Sequence, residues 1–121
     1  MTTRRMKGNK LEILCGEEVI LSLSEKMIEN EMHIVVSGEI RNEVAHEFED
    51  ELMAAFSVCK VVKVNMSEVT YIASIAMKAL LSVQQMIDED DEAMMIITHI
   101  SPEVNQIFEI SGFNDILNIE E

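Results

Sequence analysis

The sequence predicts an α/β domain: a single mixed β-sheet with helices packed on it, in the order β-β-α-β-α-β-α-β. Three observations lead there. Residues Val19–Ile40 alternate apolar and polar side chains at the two-residue period of a strand, on both sides of a polar connection at Glu29–Asn30–Glu31. From Asn42 the apolar spacing lengthens to three and four, the period of a helix face. Beyond it, β-branched runs and helix-period runs take turns to the end of the sequence, which calls for crossover connections and parallel strand pairs.

The first ten residues, MTTRRMKGNK, are polar and basic and read as a mobile tail. They carry charge but no apolar stretch behind it, so they do not read as a secretory signal. Leu11–Leu14 is a short extra strand, followed by a turn at Cys15–Gly16–Glu17. The expected organisation is therefore a basic tail with an extra strand over residues 1–17 and the domain proper over 18–121.

In that domain Val19, Leu21 and Leu23 share one strand face, and Met32, Ile34, Val36 and Ile40 share one face of the next, which makes an antiparallel hairpin. Gly38 interrupts the second strand, where a bulge or a close backbone approach is expected. Val44, Phe48, Leu52, Ala55 and Cys59 make the apolar face of a helix running to about Val58, with Asn42 as its N-cap. Lys60–Met66 (KVVKVNM) is a buried strand. Val69–Leu81 (VTYIASIAMKALL) then turns at Ala73–Ser74 from strand into a helix that ends near Asp88, with Ala76, Leu80, Val83 and Ile87 on one face. The acidic run Asp88–Glu92 suits a loop, because carboxylates oppose the negative end of a helix dipole. Ala93–His99 is a nearly continuous apolar strand, as a central parallel strand should be. Ser101 at N-cap and Pro102 at N1 open a third helix that buries Val104, Ile107 and Phe108 and stops at Gly112. Asn114–Ile119 closes the sequence as a short strand or turn.

At 121 residues such a domain buries a core without staples. Cys15 and Cys59 form no CxxC pair, which fits a reducing, cytoplasmic setting, and Cys59 falls on an apolar helix stripe where a packed thiol is at home. No apolar run approaches the length of a membrane span. Twenty-three acidic residues face nine basic ones, for a net charge of −14; four of the basic residues lie in the first ten, leaving five among twenty-three acids in the remainder. Such a body repels phosphate backbones, so nucleic acid is not an expected partner.

There is no GxGxxG, no phosphate-binding GxxxxGK and no nucleophile elbow. His33, His46 and His99 lie in different elements without ligand spacing, so no metal and no cofactor is expected, and no enzyme. Ten methionines fit gap-filling on apolar faces. Ser74 is the residue with a choice of roles. At a strand-to-helix junction its hydroxyl can cap the first turn, and a phosphate added there would meet free amides and a favourable dipole.

Three strings, in order, carry a resemblance: GEIR at Gly38–Arg41, NMSEVTYIASIAM at Asn65–Met77, and PEVNQIFEISGF at Pro102–Phe113. The sequence resembles the STAS domain (sulfate transporter and anti-sigma factor antagonist), whose pattern runs G-E-L-D, then D-L-S-x-V-x-x-I-D-S-S-G-L, then P-x-V-x-x-x-F/L-E-x-x-G. The similarity spans about Val19–Ile119. Ser74 aligns with the first hydroxyl of the D-S-S-G segment, whereas Ala73, Ile75 and Ala76 stand where that segment has its acid, second hydroxyl and glycine. Arg41 and Asn65 also replace acids.

The resemblance implies a non-enzymatic, protein-binding regulator like the bacterial anti-sigma factor antagonists, which bind a kinase-type anti-sigma factor and are released by serine phosphorylation. It implies a contact surface of Ala73, Ser74, Ile75, Met77, Lys78 and Arg41, with Ser74 as the phosphoacceptor. Two alternatives remain: an unphosphorylated scaffold or transporter-associated subunit, and a small-ligand sensor with a sheet-end pocket lined by Met66, Tyr71 and His99. A homodimer is compatible with either.

Overall fold

The computed structural model describes residues 2–113 and 117–120. One seven-stranded sheet organises it, its strands adjacent in the order in which they occur along the sequence. The strands are β1 (Thr2–Lys7), β2 (Lys10–Cys15), β3 (Glu18–Ile28), β4 (Glu31–Ile40), β5 (Val61–Ile72), β6 (Met94–Thr98) and β7 (Ile119–Glu120). The helices are α1 (Ala45–Val58), α2 (Ser74–Ile87) and α3 (Pro102–Ser111), with a 3-10 turn at Asn42–Val44 leading into α1. From β3 onward this is the β-β-α-β-α-β-α-β order read from the sequence. β1 to β4 pair antiparallel and β4 to β7 parallel. Of the expected closing segment, residues 114–116 lie outside the described residues, and Ile119–Glu120 pair with β6.

The antiparallel half turns on two-residue loops. Ile28 faces Glu31 across a turn whose two central residues, Glu29 and Asn30, both have positive φ (50° and 71°). That left-handed pair matches the natural twist of the flanking strands.

The basic tail expected at residues 1–10 is instead strand β1, hydrogen-bonded along its length to β2. Its polar side chains have partners far along the sequence. Thr2 Oγ1 donates to Glu47 Oε1 at 2.8 Å, Arg4 pairs with Glu51, and Arg5 Nη2 lies 2.7 Å from Glu12 Oε1. Alternation of apolar residues could not reveal this strand, because its strand character rests on pairing and on carboxylates of α1. The turn at Gly16–Glu17, where the domain proper was expected to begin, joins β2 to β3 inside the same sheet.

One face of the sheet carries the core. Leu21, Leu23, Ile34, Val36, Val62, Val64, Met95 and Ile97 meet Phe48 and Leu52 of α1, Ala76, Leu80 and Val83 of α2, and Val104 and Phe108 of α3. Burying a side chain of this size stabilises by about 1.5–3 kcal/mol, so this face is what holds the three helices to the sheet. Cys59 is buried at its margin, with its thiol against the carbonyls of Asn30 and Val61. The run Asp88–Glu92 is a loop after α2, tied back through Lys60 to Asp90.

Candidate functional site

The site is the junction of β5 and α2, and the backbone builds it. β5 continues past the end of β6 and keeps pairing with β4, with register shifts between Val35 and Ser37 and between Gly38 and Glu39. Gly38 lies in that region with φ +116°, and a Cβ there would stand 2.2 Å from the Ile20 carbonyl oxygen. This is the close approach the sequence suggested. The last rung is Ile40 beside Ile72, after which the Ala73 N–H donates to the Ile40 carbonyl at 2.8 Å. That bond holds Ala73 extended (φ −78°, ψ 157°), so Ala73 is the N-cap of α2 and its carbonyl accepts from the N–H groups of Ala76 and Met77, both at 3.0 Å.

Ser74 is therefore the first residue inside the helix, exposed, and α2 has no side-chain cap. The capping role expected of Ser74 is corrected. A capping oxygen must sit on the extended residue before the helix, and the bond to Ile40 gives that position to Ala73. The N-cap expected of Asn42 is corrected for the same reason: Asn42 lies inside the 3-10 turn, and α1 begins at Ala45 without a side-chain cap.

The other candidate residues divide by burial. Ala73 and Met77 are 4% and 5% exposed and support the surface from below. Ile75, 54% exposed, and Lys78, also exposed, stand on it. Arg41 follows the last β4 residue and joins the same end of the sheet through the Ile40–Ala73 bond. Its guanidinium donates to Glu39 from Nε (3.2 Å) and Nη2 (3.3 Å), with Glu18 3.8 Å away. The Glu39 hydrogen bond raises the Arg41 pKa further, and the same bond lowers that of Glu39.

Between α1 and α2 runs an open groove of about 280 Å³, lined by Asn42, His46 and Glu49 on one side and Ile75, Lys78 and Ser82 on the other. Sequence reading missed the α1 wall. Its signal was the three-and-four spacing of Asn42, Ala45, His46 and Glu49, which places them on one helical strip facing the strip Ile75–Lys78–Ser82. The arrangement presents a free hydroxyl and an aliphatic side chain at the start of a 14-residue helix, where amides and dipole attract negative charge.

The alternative sheet-end pocket does not assemble. Met66 is fully buried, Tyr71 is exposed five residues further along β5, and the grooves beside His99 are lined by neither. No group of histidine, cysteine or carboxylate side chains suited to a metal occurs among the described residues. No helix among them is long and apolar enough to cross a membrane.

The STAS domain family model matches residues 19–121. Among solved structures, the fold is similar to an anti-sigma factor antagonist from Mycobacterium paratuberculosis, with a TM-score of 0.73 and 16% identity over 82% of this chain and 84% of that one. It is similar to the anti-sigma factor antagonist SpoIIAA in its unphosphorylated form, at TM-score 0.67 and 16% identity over 82% and 88% of the two chains. The phosphorylated form of SpoIIAA, the Bacillus cell fate determinant, gives a TM-score of 0.61 at 14% identity over 82% and 91%. At these identities the likeness is one of fold. No curated protein sequence matches the chain.

Proposed function

The chain belongs to the STAS domain family, and from that membership we propose that it is a cytoplasmic, non-enzymatic regulator that docks another protein on the start of α2. The partner class is an anti-sigma factor of the kinase type, as the antagonist relatives suggest. Ser74, Ile75 and Lys78 form the centre of the docking surface, Arg41 its edge, and Ala73 and Met77 its buried support.

The observation that carries this reading is the free Ser74 hydroxyl, exposed at N1 with no capping bond, beside an Ile75 that is 54% exposed. An aliphatic side chain in water at a helix start gains by burial against a partner. A phosphate on Ser74 would add about −1.5 to −2 charge to a surface that binds without it, so phosphorylation is the release step of the proposal.

The test is binding to the purified anti-sigma factor kinase from the same genome, followed by calorimetry, together with mass mapping of Ser74 after incubation with ATP. Ile75→Asp and Ser74→Glu each weaken the complex, and phosphate appears on Ser74. Full-strength binding by both variants overturns the docking surface. Binding lost in Ile75→Asp, with no phosphate on Ser74, favours the second reading, a constitutive scaffold or transporter-associated subunit. The apolar pair Ala73 and Ile75 around Ser74 is the observation on its side.

A further inference from the structure

The end of the sheet remote from Ser74 is a second exposed surface. Strands β4, β5 and β6 start there and helices α1 and α2 finish there. It is separated from Ser74 by the 12 residues of β5, roughly 35 Å of strand. Ile28, Glu31, Val61 and Met94 stand side by side across β3 to β6. Two contacts draw the connections together. The Cys59 thiol meets the Asn30 carbonyl at 2.9 Å, which brings the end of α1 to the β3–β4 turn, and the Met94 N–H donates to the Lys60 carbonyl at 2.8 Å.

This end is apolar where water reaches it. Ten large apolar side chains are exposed among the described residues, and five of them, Met27, Ile28, Val58, Met86 and Met94, are here. The other five are scattered over five different elements, so the gathering at this end is not the ordinary scatter of surface hydrophobics. Val58 is 72% exposed. An open groove of about 160 Å³ is lined by Phe56 of α1, Met86 and Ile87 of α2, and Ala93, with Lys60 and Asp90 beside them. A volume of that size takes one leucine- or benzene-sized group. Three of the five exposed side chains are methionines, which adapt to the shape of whatever covers them.

The charge around it is one-sided. Residues 26–31, 58–63 and 86–94 hold seven carboxylates and three lysines. Asp90 is paired with Lys60, and Glu31 lies 3.6 Å from Lys63 Nζ and 3.5 Å from His33 Nε2. Glu29, Asp88, Glu89, Asp91 and Glu92 remain, exposed and without an ion pair among the described residues, against a single exposed Lys26. These acids do not serve the helix they follow. Asp88 is the C-cap of α2, whose last turn has no basic residue, and carboxylates oppose the negative end of a helix dipole.

We infer that this end of the molecule docks an amphipathic, lysine- or arginine-edged helix of a partner protein, on a surface separate from the one at Ser74. One aliphatic side chain of that helix enters the groove between α1 and α2. Its apolar face covers Val58, Met86 and Met94, and its cations meet the Asp88–Glu92 loop. A second copy of the chain would set acid against acid, and the same acids repel nucleic acid and anionic membrane.

The probe is a fluorescein-labelled amphipathic helical peptide with one leucine face edged by lysines, titrated with the full chain and read by anisotropy. Binding is saturable, weakens with added salt, and falls roughly tenfold or more in Glu89→Gln/Asp91→Asn/Glu92→Gln. It also falls in Val58→Ser/Met86→Ser, which leaves the charge untouched. Glu17→Gln/Glu103→Gln/Glu109→Gln removes as much charge from exposed positions elsewhere and costs no more than about threefold. Binding is unchanged in Ser74→Glu, so the two surfaces fail separately. Every altered side chain is exposed, and circular dichroism of each variant checks its fold. Absence of saturable binding overturns the inference, as does equal binding of a glutamate-edged peptide or of a scrambled peptide of the same composition. Equal losses in the two charge-neutralised triples overturn it too, because they report bulk attraction to a chain of net charge −14. So does tighter binding of phosphatidylcholine vesicles than of the peptide, or self-association by light scattering that disappears in Val58→Ser/Met86→Ser.

Discussion

Three strands of the sheet lead into helices, and two of those junctions carry a serine at or beside the helix start. At the β6–α3 junction Ser101 is the N-cap, 5% exposed. Its Oγ donates to the Val69 carbonyl at 2.5 Å and accepts from the Val104 N–H at 3.3 Å, with Pro102 next in the first turn. At the β5–α2 junction Ser74 stands one position later, exposed and without a capping bond, while an alanine holds the N-cap. The first serine is committed to folding, since it ties α3 to a strand 32 residues earlier. The second is held in place entirely by backbone: Gly38, the Ile40–Ala73 bond, and the rungs of β4 and β5. A hydroxyl relieved of structural duty can be modified or covered without cost to the fold.

The largest effect should come from the backbone that positions Ser74. Gly38→Ala places a methyl group 2.2 Å from a carbonyl oxygen at φ +116°, and a destabilisation of at least about 3 kcal/mol is expected by urea denaturation. Near-wild-type stability would show that the strand approach does not set the junction. Next is Ser101→Ala, which removes a cap and leaves the Val69 carbonyl without its partner. A loss of about 2 kcal/mol is expected, seen as a drop of roughly 6 °C in Tm. Ala73→Ser goes the opposite way. It supplies α2 with the oxygen its N-cap lacks and should stabilise by about 0.5–1 kcal/mol in the same melt. A fall in Tm there would mean that the buried Ala73 site cannot take a hydroxyl.

The two junctions also show why one site was readable in the sequence and the other only partly. Ser101, Pro102 and Gly112 punctuate α3 with local chemistry, and the structure places each in the expected role, Gly112 with φ +76°. The strand and helix order from Val19 onward followed from the change of period. Apolar spacing locates the start of α2 only to within a residue, however, and the choice between Ala73 and Ser74 as N-cap is made by a hydrogen bond to Ile40, 33 residues earlier. Strand β1 was hidden for a related reason: Thr2, Arg4 and Arg5 find their partners on Glu47, Glu51 and Glu12, and nothing local announces them. The wall of the groove on α1 had the right spacing but mixed chemistry, so its facing of α2 became visible only in three dimensions.

The smallest stability effect is expected at Ser74 itself, and it tests the comparison most sharply. Ser74→Ala removes an exposed hydroxyl with no capping bond and should change stability by no more than about 0.5 kcal/mol. Ser74→Glu puts a negative charge in the first turn of α2, where the dipole favours it by roughly 0.3–1 kcal/mol, so the variant should melt at or slightly above the wild-type temperature. If Ser74 is a functional position, partner binding in Ser74→Glu falls while the melt does not. In Ser101→Ala the order is inverted: the melt falls, and binding at low temperature stays near wild type because the α2 surface is intact. A Ser74→Ala variant that melts several degrees lower would instead make the two serines alike, with α2 depending on a hydroxyl that the observed cap geometry leaves idle.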